Sequence, residues 1–299
     1  MSLIKFFTNY LDSTTDTIDL YDFANYITSD STNVNYILFD LVLKKIRTTH
    51  NIKYIYIYGL IKSEGMILLY NTLLYKTLLN MPSSLELLSF VNCNIGTQGV
   101  TYIGEILKLK NIFIKKLIIN NDTLNTEGCI ELGKIVADNT MREVSHTLEE
   151  LNLSNAIQVD VSMYNIIVGL SYNTNIVTLN LSNNYIYNSF YPLINTFIKN
   201  NKKLTNLYMS YVAFDEPNFG FHKMWIDGLS INTFIKIIDV SGNNLNDTDI
   251  DCIYNAMKIN TTIERIYIEN NKFITDDGFD KIFELLETHP SLKVLKANF

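Results

Sequence analysis

The sequence predicts an α/β solenoid, in which short parallel strands alternate with helices and successive strand–helix units stack on one another. Two features of the chain carry that expectation. One spacing of apolar residues returns nine times in constant phase, and a stretch with helical periodicity follows several of the returns. In the segment NTNIVTLNLSNNYI, residues 173–186, Ile176, Leu179, Leu181 and Ile186 fall at gaps of three, two and five. That pattern fits neither a helix stripe nor a plain alternating strand.

In chain order, residues 1–50 contain no such unit. Leu38, Val42 and Ile46 stand four apart and make a helical stripe, and Leu20, Phe23 and Ile27 are compatible with another. The expected organisation is a helical N-terminal cap over 1–51, followed by one continuous array of about nine strand units over 52–299, the last truncated as a C-terminal cap.

From residue 52 the repeat takes over. With the first apolar residue of each unit numbered 1, apolar residues stand at 1, 4, 6 and usually 11, and Asn, Cys or a small residue is commonest at 9. The starts are Ile52, Leu85, Ile114, Leu148, Ile176, Leu204, Ile235, Ile263 and Leu292, separated by 33, 29, 34, 28, 28, 31, 28 and 29 residues. Asn111, Asn173, Asn201, Asn232 and Asn260 each stand three residues before a start, and Asn139 keeps that schedule if Arg142–Thr147 is an insertion. Positions 4 and 6 alternate as in a strand and point to one face. Positions 1, 9 and 11 lie where the chain enters and leaves the strand, so they also turn inward. A buried side chain at position 9 must satisfy backbone groups that the turn leaves over, and an Asn amide both donates and accepts. Asn184, Asn243 and Asn271 are the expected ladder residues, with Cys93 as a structural cysteine in the same slot. Leu60, Asp122, Ala156 and Val212 depart from the pattern there, which predicts looser or bent repeats.

The second half of a unit reads as helix. SEGMILLYNTLL, TQGVTYIGEIL, TEGCIELGKIV and DDGFDKIFELL open on Ser, Thr or Asp as expected caps and continue with apolar residues at helical spacing. Glu64, Glu127 and Asp277 lie in first turns, where the helix dipole favours them. Gly65, Gly99, Gly128 and Gly278 recur at one place and are expected to let the helix start close to the sheet. In the unit from Leu204, AFDEPNFGFHKMWIDGLS places Phe221, Trp225 and Leu229 four apart on one helix face, and the loop around Pro217, Phe219 and Phe221 is a candidate contact on the rim.

The spacing, with matches such as LNLSNNYI and IIDVSGNNL, resembles the leucine-rich repeat LxxLxLxxNxL over residues 52–299. The 28–29-residue interval resembles the ribonuclease-inhibitor-like subtype, shared by Ran GTPase-activating protein, tropomodulin and the NLR receptor arrays. The resemblance implies a right-handed horseshoe with parallel strands on the concave face and helices on the convex face. It also implies that no unit buries its apolar face alone.

Composition narrows the function. At 47% hydrophobic and 18% charged residues the chain can bury a large core. A net charge of −7, with basic pairs scattered along the chain, argues against a nucleic-acid partner. The N-terminus lacks a signal-peptide core, and no run approaches the ~20 apolar residues of a membrane span. Three widely spaced cysteines suit a reducing compartment, so a cytoplasmic protein without a membrane is expected. His50, His146, His222 and His289 lie in different repeats, and no metal-ligand spacing, phosphate loop or nucleophile elbow occurs, which predicts no enzyme, cofactor, metal or small-molecule substrate.

What remains is the outward strand surface. Its middle column, position 5, runs Tyr56, Ser89, Ile118, Asn152, Asn180, Tyr208, Asp239, Tyr267 and Lys296. Tyr54, Tyr56 and Tyr58 cluster in the first unit of the array, and Tyr208, Tyr211, Asp239, Glu264, Arg265, Tyr267 and Glu269 toward its last units. Tyr and Arg concentrate binding energy because each joins contact area to a directional polar tip. The expected function is a non-enzymatic protein-interaction scaffold, free or in a larger assembly, whose partner carries a basic segment. The alternative is a GTPase-activating or other regulatory protein resembling Ran GTPase-activating protein, for which no catalytic residues can be matched.

Overall fold

The computed structural model describes residues 3–13, 16–21, 32–59, 61–137, 147–157, 162–212 and 227–297. The chain forms two compact units, Met1–Leu132 with Thr140–Leu151, and Gly133–Asn139 with Asn152–Phe299. Leu60, Asn139, residues 142–146, Phe23, Ile27, and the loop of Pro217, Phe219, Phe221 and Trp225 lie outside the described residues.

The first unit contains α1 (Leu3–Ser13), β1 (Thr17–Asp19), α2 (Thr32–Thr48), β2 (Tyr54–Tyr58), α3 (Lys62–Leu78), β3 (Leu87–Val91), α4 (Gly96–Leu107) and β4 (Lys116–Asn120). The division between units falls within α5 (Thr126–Ala137) and β5 (Glu150–Asn152). The second unit continues with α6 (Ser162–Tyr172), β6 (Thr178–Asn180), a 3-10 turn (Asn188–Phe190), α7 (Tyr191–Asn200), β7 (Asn206–Tyr208), α8 (Gly228–Ile231), β8 (Ile237–Asp239), α9 (Asp247–Met257), β9 (Arg265–Tyr267), α10 (Asp276–Thr288) and β10 (Val294–Lys296). In each unit neighbouring strands are parallel and in chain order, with equal repeat positions side by side.

The repeat register is visible in the burial. Ile176, Leu179, Leu181 and Ile186 are all buried, Leu181 at 2% exposure, and Leu151, Leu207, Ile238 and Ile266 follow at the same positions. Position 9 is the expected ladder. The Asn184 amide donates to Leu153 O and Leu181 O, both at 2.8 Å, while its Oδ1 accepts from Ala156 N at 3.0 Å and Ile157 N at 2.9 Å. Asn243 and Asn271 bridge to the preceding repeat in the same way. Ala156 and Val212 are therefore served by the next repeat's Asn, since Val212 N donates to Asn243 Oδ1 at 2.7 Å. Cys93 holds its slot as a buried thiol donating to Ile57 O at 3.4 Å, and burial pushes it far above the ordinary thiol range.

A second ladder explains the asparagines three residues before five of the starts. Asn232 donates to Ile198 O at 2.6 Å and Asn201 O at 2.9 Å, and accepts from Phe234 N and Ile235 N, both at 2.8 Å. Asn260 repeats this on Leu229 O and Asn232 O. His289 is the next rung, with Nε2 2.6 Å from Asn260 O and Nδ1 accepting from Leu292 N at 3.1 Å. These side chains satisfy carbonyls and amides that the passage from helix to strand exposes.

Asp122 stands in the position-9 slot without the amide. Its Oδ1 accepts from Thr123 N at 2.7 Å and Ile95 N at 3.3 Å, but the buried Oδ2 has no hydrogen-bond partner among the described residues. Burial pushes this carboxyl above the usual carboxylate range, against the lowering effect of its backbone hydrogen bonds. A carboxyl raised on folding contributes its full stability when protonated, below its unfolded pKa of about 4. That contribution is lost as pH rises through the folded pKa. Asp122→Asn restores the missing donor and is expected to stabilise the chain at neutral pH by about 1–3 kcal/mol. The gain should shrink as pH falls toward the unfolded value. Denaturant titrations at neutral and acid pH check this, and a variant less stable than wild type at neutral pH would contradict it.

Three expectations need correction. The segment before residue 52 is not wholly helical: Thr17–Asp19 is a strand paired with β2, with Ile18 and Leu20 buried on alternate positions and Leu20 N donating to Tyr56 O. The Ser, Thr and Asp residues read as caps do not cap α3, α4 or α10. Those helices follow Ile61, Ile95 and Thr275 with no side-chain cap bond, whereas Asn246 and Asp249 make a full capping box on α9. The recurrent helix-start glycines make room for side chains rather than for the sheet. A Cβ at Gly65 or Gly99 would press on Ile61 or Ile95, and one at Gly278 would collide with Asp247, which accepts from Thr275 N of the next repeat.

Candidate functional site

Outward strand positions were expected to form the binding surface, and two units of the array present it differently. In the first unit Tyr54, Tyr56 and Tyr58 stand on the outward side of β2, each half-buried while Ile55 and Ile57 between them are fully buried. The strand β1 brings Asp19 beside Tyr56, and the Tyr21 ring meets Tyr58 edge-on at 5.2 Å. Burial first, and Asp19 second, raise the phenols of Tyr56 and Tyr58 above the ordinary range. Lys116 of β4 pairs with Glu150 of β5 at 2.8 Å, a bond that raises the lysine. Leu87 and Ser89, also outward by register, are buried instead, so a continuous open column does not exist in this unit. Asp19 and Tyr21 escaped the sequence reading because residues 1–50 carry no repeat signal.

In the second unit the middle column is open. Asn180, Tyr208, Asp239, Tyr267 and Lys296 lie side by side on five parallel strands, the first four half-buried and Lys296 exposed. Lys296 Nζ lies 5.2 Å from the centre of the Tyr267 ring, a cation–π contact. Asp239 accepts from Ser241 N at 3.0 Å, which fixes its carboxylate at the strand end. Arg265 is exposed on the outward side of β9, two residues from Tyr267. Glu264 does not offer the free acid expected of it. Lys293 at 2.9 Å and Lys236 at 3.5 Å flank it, and the first of these chiefly holds its carboxyl below the usual range. The acids of this face without an ion pair among the described residues are thus Asp239 and Glu269.

Tyr211 is different in kind. Position 8 has positive φ in eight repeats: Gly59, Asn92, Asn121, Asn155, Asn183, Tyr211, Gly242 and Asn270. Left-handed backbone suits Gly and Asn, whereas a bulky side chain there costs about 1–2 kcal/mol. Tyr211, at φ 54°, is the one large residue of the row. Its ring lies on Gly242, where any Cβ would collide with it, and its hydroxyl accepts from Asn270 Nδ2 at 2.9 Å. The signal for this row in the sequence is an Asn or Gly two residues after position 6, a feature that alternation of apolar residues alone does not distinguish from an outward strand position.

Among the described residues no three His, Cys, Asp or Glu side chains group closely enough to hold a metal ion. No described helix is long and apolar enough to cross a membrane.

A scan of the sequence against models of known protein families gives no match. Among solved structures, the chain is similar to the leucine-rich repeat-containing protein LegL7 from Legionella pneumophila, at 12% identity and a TM-score of 0.50, over 97% of this chain and 86% of that one. It is also similar to actin-binding site 2 of leiomodin-1, at 18% identity and a TM-score of 0.34, over 58% of this chain and 79% of that one. A yeast complex of Rad7 and Elc1 gives 9% identity and a TM-score of 0.34, over 97% and 91%. The alternation of parallel strands and helices, the asparagine ladder and the likeness to LegL7 agree: the fold is the leucine-rich repeat.

Proposed function

We propose that this leucine-rich-repeat chain, of the ribonuclease-inhibitor-like subtype, is a cytoplasmic protein-interaction scaffold without enzymatic activity. One observation carries the reading: a registered, accessible column of Tyr208, Asp239 and Tyr267 spans adjacent strands that stand about 4.8 Å apart. Such a column offers aromatic area beside a fixed carboxylate. Asp239 and Glu269, rather than the neutralised Glu264, are the groups that suit a basic segment on the partner, with Arg265 marking the edge of the patch. Tyr54, Tyr56 and Tyr58 form the second candidate surface, smaller because Leu87 and Ser89 beside them are closed. The three cysteines, none of them in a disulfide and two of them buried, suit a reducing cytoplasm.

The test starts from a partner isolated by affinity purification and measured against purified variants. Tyr208→Ala and Tyr267→Ala should each weaken binding by about 1–3 kcal/mol and leave folding nearly unchanged. Full affinity in the double variant would exclude this face and turn attention to Tyr54, Tyr56 and Tyr58. Stimulation of a small GTPase that depended on one strand-face residue would favour the regulatory alternative instead.

A further inference from the structure

Tyr211 occupies a backbone position that five other repeats fill with Asn and two with Gly, so folding does not call for a tyrosine there. Three residues of successive repeats are nonetheless fitted to one another around its ring. Gly242 leaves the space on which the ring lies, and Asn270 binds the hydroxyl from the far side. Tyr211 as a whole remains 37% exposed, just past the end of β7. Because the hydroxyl accepts from Asn270, its own proton is left to donate outward. Gly242 N, under the ring, donates to Glu269 O at 2.8 Å, which sets Glu269 beside Gly242 on the neighbouring repeat. An exposed aromatic residue with an acidic residue on the adjoining repeat, one that makes no ion pair among the described residues, suits a cation, best a planar guanidinium that can both stack and pair. The molecule makes the same kind of contact internally, with Lys296 over Tyr267, Lys258 over Tyr254 at 4.1 Å and Arg47 over Tyr75 at 5.4 Å.

We propose that Tyr211, seated on Gly242 and held by Asn270, is a docking platform for an arginine side chain of an extended partner segment, with Glu269 as the counter-charge. This deepens the scaffold reading and rests on it for the identity of the ligand as a polypeptide. The probe is a short Gly/Arg peptide, with the same peptide carrying citrulline in place of arginine as the uncharged isostere. Binding is followed on the full chain by the amide NMR signal of Gly242, which lies under the ring.

The arginine peptide should shift Gly242 saturably, and the citrulline peptide should bind at least tenfold more weakly. Tyr211→Asn, which installs the residue used by other repeats, and Glu269→Gln should each weaken the arginine peptide about tenfold. Thermal unfolding of both variants should stay close to wild type. An unmoved Gly242 signal, or equal binding of the two peptides, overturns the platform. If a partner that needs Tyr208 and Tyr267 binds Tyr211→Asn with full affinity, the platform falls and the scaffold stands. If the peptide binds as expected but no protein competes for the site, the scaffold reading falls and the cation site stands.

Discussion

Leu179→Asp is expected to abolish folding of the second unit. Leu179 is fully buried in β6, in register with Leu207 of β7, and no cation among the described residues lies in that apolar layer to receive a carboxylate. Burying the charge, or protonating it to avoid doing so, costs more than about 4 kcal/mol, a large share of the stability of an ordinary domain. Leu181→Ala, two residues on and 2% exposed, removes the same kind of contact without adding a charge and should cost roughly 2–5 kcal/mol. Circular dichroism and denaturant unfolding distinguish the two outcomes. A well-folded Leu179→Asp chain with near-native stability would mean that the repeat register is wrong.

Asn184→Leu is expected to be nearly as damaging, for a different reason. Asn184 is 1% exposed and makes hydrogen bonds to three carbonyls and two amides, drawn from its own repeat and the preceding one. Leucine matches it in size but takes the side-chain partner from Leu181 O and Ile157 N and leaves Ala156 N and Leu153 O only their mutual 3.2 Å bond, at about 1–3 kcal/mol for each group left unsatisfied before any relaxation. The loss should concentrate at Ala156 and Ile157, whose amides would lose hydrogen-exchange protection well before the core strands do. Asn184→Asp keeps the two acceptor bonds and loses the donor ones, so it should fall between leucine and wild type and become less harmful as pH is lowered. That is the behaviour expected of Asp122 in its own slot. Unchanged protection at Ala156 and Ile157 in Asn184→Leu would show that the ladder does not hold successive repeats together.

The strand-face residues were legible only as far as their direction. Tyr208, Asp239 and Tyr267 are side by side because each stands at position 5 of its repeat, which counting alone establishes. Glu264 read equally well as a free acid, yet Lys236 and Lys293 at the same position of the flanking repeats neutralise it. Ser89 read as part of an open column, yet it is buried between the larger Tyr56 and Ile118 on either side. In both cases the deciding neighbours are about one repeat away in the chain, and the outcome depends on side-chain size and reach across the gap between strands.

By itself the sequence determined the register after residue 52: which residues point inward, where the strand of each repeat falls, and which position-9 amides bridge one repeat to the next. Burial at positions 1, 4, 6, 9 and 11 follows from the local geometry of one strand and its turn, and nine copies in phase leave little room for another alignment. The tertiary structure alone decided the rest. It added β1 beside β2, because a single three-residue strand has no periodicity to announce it. It placed the Tyr211 ring on Gly242 and its hydroxyl on Asn270, 59 residues along the chain. Such contacts form sideways, between repeats, where shape and hydrogen-bond direction matter and the spacing of apolar residues carries no information.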